Sequence, residues 1–103
     1  MGRLAELLSD YTVSVDFPDV SGFEIIEMLV VRSQIARLEP RLTSEQRQQV
    51  EAADRRLMRD AKRFYQSVSR IADLSEFRAR SGALPSHWWW YLDALVEEPV
   101  AAA

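Results

Sequence analysis

Apolar residues recur at helical spacing through most of the chain, most regularly between residues 44 and 71. Successive apolar positions there are three or four residues apart: Val50, Ala53, Leu57, Ala61, Phe64, Val68 and Ile71. This spacing keeps side chains on one face of an α-helix. Neither glycine nor proline interrupts the segment, so the pattern predicts one long amphipathic helix near 44–71.

Three short motifs predict where helices begin. Ser21 and Thr43 each precede a Glu or Gln by three residues, and Asp73 precedes a Glu by the same interval, which is the spacing of a capping box. The first motif begins a helix near 22–38, whose apolar residues spread around most of its circumference and predict burial on several sides. The β-branched residues in that helix leave a strand as the alternative for part of it. The third motif begins a short helix that ends near Arg80, before Gly82.

Residues 11–17 show a different period. Tyr11, Val13, Val15 and Phe17 are separated by single polar residues, a pattern typical of a strand with one apolar face. No second segment alternates as clearly, and an isolated strand leaves its backbone groups unpaired. Two interpretations follow: a strand that pairs with another chain, or an extended arm that packs along the helices.

Four large rings and the only histidine stand together in the run His87, Trp88, Trp89, Trp90 and Tyr91. The sequence predicts a helix that begins near residue 85 and ends near residue 98. At about 100° per residue, Trp88 and Tyr91 lie on its apolar face, Trp89 at the edge of that face and Trp90 outward. An outward tryptophan predicts a protein contact. The alternative is that Trp90 packs beneath another part of its own chain.

These elements predict a mainly α-helical single domain over residues 1–98, followed by a frayed tail at 99–103. We expect the buried helix near 22–38 to pack antiparallel to the long helix, because the connection between them is short. The extended arm or strand precedes them and two shorter helices follow. A chain of 103 residues, 48% hydrophobic and 28% charged, matches one ordinary globular domain.

The composition and the motifs limit the chemistry. Without cysteine, the chain has no disulfide, thiolate ligand or cysteine nucleophile, which fits a cytoplasmic location. No signal-peptide pattern opens the sequence and no apolar run approaches the roughly 20 residues that span a membrane. One histidine and three glycines do not form a known catalytic, phosphate-binding or metal-binding motif. We therefore expect no catalytic residue, cofactor, metal or membrane contact, and interpret His87 as a capping or packing residue.

Charge is segregated along the chain, which has a net charge of −3. Residues 1–27 carry one arginine against six carboxylates, whereas residues 55–80 carry eight cations against three carboxylates. The long helix has a positive face that comprises Arg55, Arg59, Lys62, Arg63 and Arg70. We interpret this face as solvated, or as paired with acidic residues of the N-terminal segment or of a second subunit. An acidic protein or nucleic acid is the alternative partner.

These features favour a non-enzymatic protein-interaction module that forms a homodimer. The expected partner-binding residues are Trp89, Trp90, His87, Tyr11, Val13 and Val15. A second protein is a further candidate partner, and nucleic acid is not expected. The alternative function is a small operon-type regulator, resembling an antitoxin, that touches nucleic acid weakly through the positive face.

Overall fold

The computed structural model describes residues 3–96, and within that range the chain is mainly helical and contains no strand. Five α-helices follow one another: α1 Arg3–Ser14, α2 Gly22–Arg37, α3 Ser44–Arg59, α4 Ala61–Ser69 and α5 Leu74–Ser81. Two 3-10 turns lie at Glu39–Arg41 and Trp88–Trp90, and residues 92–96 are helical. The predicted mainly α-helical class is confirmed. The predicted helix end near 98 and the tail at 99–103 lie outside the described residues.

The N-terminal arm or strand is a wrong prediction, because residues 11–14 continue α1. Val13 is 55% exposed, whereas Tyr11 and Val15 are completely buried, so the alternating residues do not share one face. Tyr11 and Val15 instead extend a helical series that begins with Leu7 and Leu8, which are also buried. Contacts at spacings of three and four across the whole segment outweigh a short local alternation of period two.

The helix predicted near 22–38 is present as α2, and its capping box is formed as the sequence indicates. The hydroxyl of Ser21 accepts a hydrogen bond from the backbone N–H of Glu24, and the Glu24 side chain accepts one from the backbone of Ser21. Burial on several sides is largely confirmed: Ile25, Ile26, Met28, Leu29 and Ile35 are in the core. Phe23 and Val30, however, remain exposed.

The long helix predicted near 44–71 is divided at Asp60 into α3 and α4. Asp60 has φ −104° and ψ 21°, far from the usual α-helical angles of about −63° and −42°. The predicted apolar face nevertheless continues across the division, since Leu57, Ala61 and Phe64 are all buried. Helical hydrogen bonds also continue on both sides of the division, from Asp60 N–H to Arg56 O and from Phe64 N–H to Asp60 O, so the same side chains keep facing the core.

The predicted pairing of α2 with the long helix holds only for its second half. Helix α1 packs against both α2 and α3, whereas α2 packs against α4. The start of α2 lies against the end of α4: a Cβ atom on Gly22 would come within 2.6 Å of the backbone oxygen of Ser67. Residues 11–14, predicted as part of an extended arm or strand, therefore belong to a helix that packs against both α2 and α3.

Candidate functional site

The three tryptophans occupy a 3-10 turn at Trp88–Trp90 rather than an α-helix. Trp89 is 3% exposed and Trp90 is 1% exposed, while Trp88 is only partly buried. The prediction that Trp90 faces outward and Trp88 lies on the buried face is therefore wrong. Because a 3-10 helix turns by about 120° per residue instead of 100°, a projection at α-helical angles misplaces these rings.

Both buried tryptophans donate their indole hydrogen bonds to one hydroxyl on α2. The distances to Ser33 Oγ are 3.0 Å from Trp89 Nε1 and 2.9 Å from Trp90 Nε1. Ser33 Oγ also lies 3.4 Å from His87 Nδ1. The two indoles occupy both lone pairs of the hydroxyl, which leaves its own hydrogen to donate to His87 Nδ1. This assignment corresponds to a neutral imidazole with Nδ1 as an acceptor.

The surroundings of His87 favour that neutral form. Burial lowers the pKa of His87, and the nearby positive charges of Arg37 and Arg32 lower it further. The His87 ring stacks on Trp89, with ring centroids 4.6 Å apart. The imidazole is thus held among aromatic and cationic groups with its acceptor nitrogen turned toward Ser33.

The serine and imidazole pair does not resemble a nucleophile with its base. A catalytic serine needs a reachable hydroxyl and a base that can take its proton. Ser33 is only 6% exposed, and its lone pairs already accept two indole N–H groups. This arrangement satisfies the polar atoms of the tryptophans within the core, which a buried indole requires.

A second buried network joins α1, α2 and α3. Arg32 donates two hydrogen bonds to the Asp54 carboxylate, at 2.9 and 3.0 Å, and Tyr11 donates its phenolic hydrogen to the same carboxylate. Burial, reinforced by the Asp54 charge, raises the pKa of Tyr11 well above its usual value. The Arg32 guanidinium also lies 4.1 Å from the centroid of Trp89. The two networks meet at Trp89, so they form one continuous buried cluster.

The predicted partner-binding residues therefore do not form a surface. Trp89, Trp90, His87, Tyr11 and Val15 are buried by the chain itself. Of the predicted set, Val13 alone is exposed. The alternative interpretation, that Trp90 packs beneath another part of its own chain, is confirmed, and this ring marks no contact surface.

The positive face predicted on residues 55–70 is partly neutralised by acidic residues. Arg63 pairs with Asp19, and Arg59 lies 3.0 Å from Asp60. Arg56, which lies beside this face, pairs with Asp16. The predicted pairing with the N-terminal segment is thus confirmed for Arg56 and Arg63.

Three cations of the positive face have no carboxylate partner among residues 3–96. Arg55, Lys62 and Arg70 are exposed. Across residues 3–96, none of the three is within ion-pair distance of a carboxylate. Charge therefore remains available at these positions.

A surface groove of about 670 Å³ lies between α1 and α2. Its apolar lining includes Val13, Val30 and Val31, of which Val13 and Val30 are exposed by 55% and 39%. Four exposed carboxylates and one arginine stand along it: Glu6, Asp10, Glu24, Glu27 and Arg3. The carboxylates form no ion pair with another described residue. We call this feature the acidic groove.

Sequence periodicity explains how the acidic groove is built. Glu6, Asp10 and Val13 are spaced by four and three residues on α1, and Glu24, Glu27 and Val31 are spaced by three and four on α2. Each set therefore forms one stripe along its helix. The excess of carboxylates over residues 1–27 indicated this surface in the sequence. The interpretation of residues 11–17 as a strand did not reveal the helical spacing that places Val13 beside Glu6 and Asp10.

Comparisons with protein-family models, with curated proteins and with solved structures found no match for this chain. Within residues 3–96, no cluster of three or more potential ligand side chains is arranged to hold a metal ion. None of the helices in that range is both long enough and apolar enough to cross a membrane.

Proposed function

We propose that this protein is a non-enzymatic interaction module that binds a basic amphipathic helical segment of a protein in its acidic groove. The observation that carries the proposal is a groove lined by two exposed valines and by four carboxylates that form no ion pair with another described residue. An amphipathic helix lays its apolar face into such a groove. The carboxylates on either side favour cations on the flanks of that helix.

The contrast with the buried cluster supports this choice of surface. The polar atoms of Ser33 and Asp54 already have partners within the chain. The carboxylates of Asp10 and Glu27 accept no hydrogen bond and form no ion pair with residues 3–96. A partner that brings cations would therefore add interactions that the folded chain leaves unmade. The lack of cysteine supports a cytoplasmic setting for this module.

The test uses a synthetic peptide of about 18 residues in which leucines repeat at i, i+3, i+4 and i+7 and lysines fill the other positions. Its binding to the full chain is measured by calorimetry, and a peptide with glutamate in place of lysine serves as the control. We expect the lysine peptide to bind and the glutamate peptide to show no binding. We also expect binding to weaken as salt increases, because exposed charges are screened over about 3 Å at 1 M salt.

Two charge-reversed chains locate the binding site. Asp10→Lys with Glu27→Lys changes the groove, whereas Glu39→Lys with Glu51→Lys makes the same change in net charge at exposed positions elsewhere. We expect the groove variant to bind the lysine peptide about tenfold more weakly than the control variant. Equal binding by the two variants, or no binding of the lysine peptide at low salt, would contradict the proposal.

A further inference from the structure

A surface complementary to the acidic groove lies on the same chain, at the junction of α3 and α4. Met58 is 48% exposed. It is three residues after Arg55 and four before Lys62, so these cations flank it on one helical face. Arg59 is next to it in sequence and is also exposed. We call Arg55, Met58, Arg59 and Lys62 the basic ridge.

The two surfaces agree in chemistry and in length. The groove presents exposed valines between carboxylates, and the basic ridge presents an exposed methionine between cations. From Arg55 to Lys62 the chain advances about 10 Å along a helix, and the stripe from Glu6 to Val13 on α1 has the same length at 1.5 Å per residue. Each surface therefore offers the other an apolar contact and charges of the opposite sign.

The chain cannot fill its own groove with its own ridge. Helix α1 meets α3 through a different side, since the cleft between those helices is lined by Gln49, Ala52 and Arg56. Arg55 precedes Arg56 by one residue and therefore points about 100° away from that side. No residue of the basic ridge lines the acidic groove. The complementary surface must come from another molecule.

We propose that the occupant of the acidic groove is the basic ridge of a second copy of this chain. This inference rests on the proposed function, because it names the partner that the same groove binds. A groove-to-groove contact about a twofold axis would instead bring like charges together, which opposes association. Each contact therefore joins two different surfaces of two identical chains, the groove of one copy and the ridge of the other.

The oligomeric state of the full chain is the first test. We expect the mass measured by light scattering and by sedimentation to increase with protein concentration at about 0.01 M salt and to decrease at about 1 M salt, where screening is nearly complete over contact distances. A chain that stays monomeric at low salt up to about 1 mM, a concentration that would detect even a very weak contact, would overturn the inference. If such a chain still binds the lysine peptide, the proposed function stands and only the identity of the occupant is wrong.

Mixing two variants gives the sharper test. Asp10→Lys with Glu27→Lys disables the groove of one chain, and Arg55→Glu with Lys62→Glu disables the ridge of another. We expect each variant alone to be monomeric, because one surface is missing from every copy. Their mixture should associate, since the intact ridge of the first chain meets the intact groove of the second and the two charge-reversed surfaces also carry opposite charges. A monomeric mixture at concentrations where the natural chain associates would overturn the inference.

A chain with all four reversals restores opposite charges between the two surfaces. We expect it to associate again, at least about tenfold more strongly than either double variant. The control chain carries Glu51→Lys with Arg80→Glu, exposed positions outside both surfaces, and should associate like the natural chain. Far-ultraviolet circular dichroism checks that every variant remains folded.

Binding of the basic ridge to nucleic acid is the competing outcome. Duplex DNA added to the natural chain at low salt is the probe. If DNA binds and is lost on Arg55→Glu with Lys62→Glu, while the chain alone stays monomeric, then the ridge serves nucleic acid. That result would overturn self-association and would favour the regulator function.

Discussion

The buried cluster around Ser33 and the acidic groove use similar kinds of side chain with opposite results. Arg32 and Asp54 form a two-hydrogen-bond ion pair inside the protein, whereas Glu27 and Asp10 stand exposed beside valines without a partner in the described chain. The first region has made its interactions during folding. The second retains apolar and charged groups that only another molecule can contact.

Residues that look functional in the sequence are therefore not the residues whose side chains can contact another molecule in the folded protein. Three consecutive tryptophans and a lone histidine attract attention in a sequence, yet in this fold Trp89, Trp90 and His87 are occupied with Ser33 and with one another. Glu27 attracts none, and Val13 was expected to bind a partner only as part of a strand, yet both line an open surface between two helices. A side chain can bind a partner only if the fold leaves it exposed and without a contact of its own, and the packing of the helices decides this.

Replacing Trp90 by alanine should produce the largest effect. A fully buried ring leaves a large cavity and removes a hydrogen bond to Ser33, so we expect a loss of about 3–5 kcal/mol in the free energy of unfolding. Urea unfolding followed by circular dichroism measures it. Trp88→Ala is the matched control, because Trp88 is only partly buried and should cost less. An equal or smaller loss for Trp90→Ala would show that this ring is not a core residue.

Removing the shared acceptor should have the next largest effect. Ser33→Ala leaves two buried indole N–H groups without an acceptor and takes away the hydrogen that His87 Nδ1 accepts. Unsatisfied buried groups cost about 1–3 kcal/mol, and unfolding by urea should show a loss in this range. Ser69→Ala, at an exposed position of α4, should change stability little. A neutral Ser33→Ala would mean that the three side chains do not depend on this hydroxyl.

The pKa shift of His87 predicts a smaller, pH-dependent effect. Because the pKa is lower in the folded protein than in the unfolded chain, the unfolded chain takes up a proton first as the pH falls. The free energy of unfolding should therefore be fully retained above about pH 6.5, the ordinary histidine value, and decline below it. Unfolding curves across this range check the sign, and His87→Gln should reduce the slope. An increase in stability on acidification to pH 6 would contradict the neutral imidazole.

Alanine substitutions of Val13 and Val15 compare the groove with the core, and Val13→Ala should change stability least among the alanine variants of groove and core residues. Val13→Ala removes an exposed side chain of the groove, so stability should change by no more than about 0.5 kcal/mol while binding of the lysine peptide weakens. Val15→Ala opens a cavity in the core and should lower stability by about 1–3 kcal/mol without weakening the peptide affinity of the folded chain. For each variant, calorimetry measures the affinity for the lysine peptide and urea unfolding measures the free energy of unfolding. If Val13→Ala instead lowered stability and Val15→Ala weakened peptide binding, Val13 would be the core residue and Val15 the groove residue.

Much of the fold was predictable because it depends on local signals. The capping boxes at Ser21 and Thr43, and the left-handed Gly82 after α5, lie where their motifs indicate. The same local logic failed at residues 11–17 and at the tryptophan run. In both places a short stretch fitted one backbone geometry while contacts from distant residues selected another.

The candidate site was predictable only in part. Segregation of carboxylates into residues 1–27 is visible in the sequence, and so is a positive face near residue 60. Which charges pair is a matter of distance: Asp19 reaches Arg63 and Asp16 reaches Arg56, whereas Asp10 and Glu27 reach no cation of residues 3–96. Positions separated by forty or more residues along the chain give no local signal of their contact.

By itself, the sequence determined that the chain is helical, where several helices begin and end, and how its charges are distributed, because these properties depend on neighbours three or four residues apart. Tertiary structure decided which rings are buried, which ions are paired and which valines remain exposed. Those outcomes depend on the packing of α1 against both α2 and α3, and on one serine of α2 that accepts two indoles from the far end of the chain. A hydrogen bond or an ion pair is made by proximity in space, and the folded chain alone provides it.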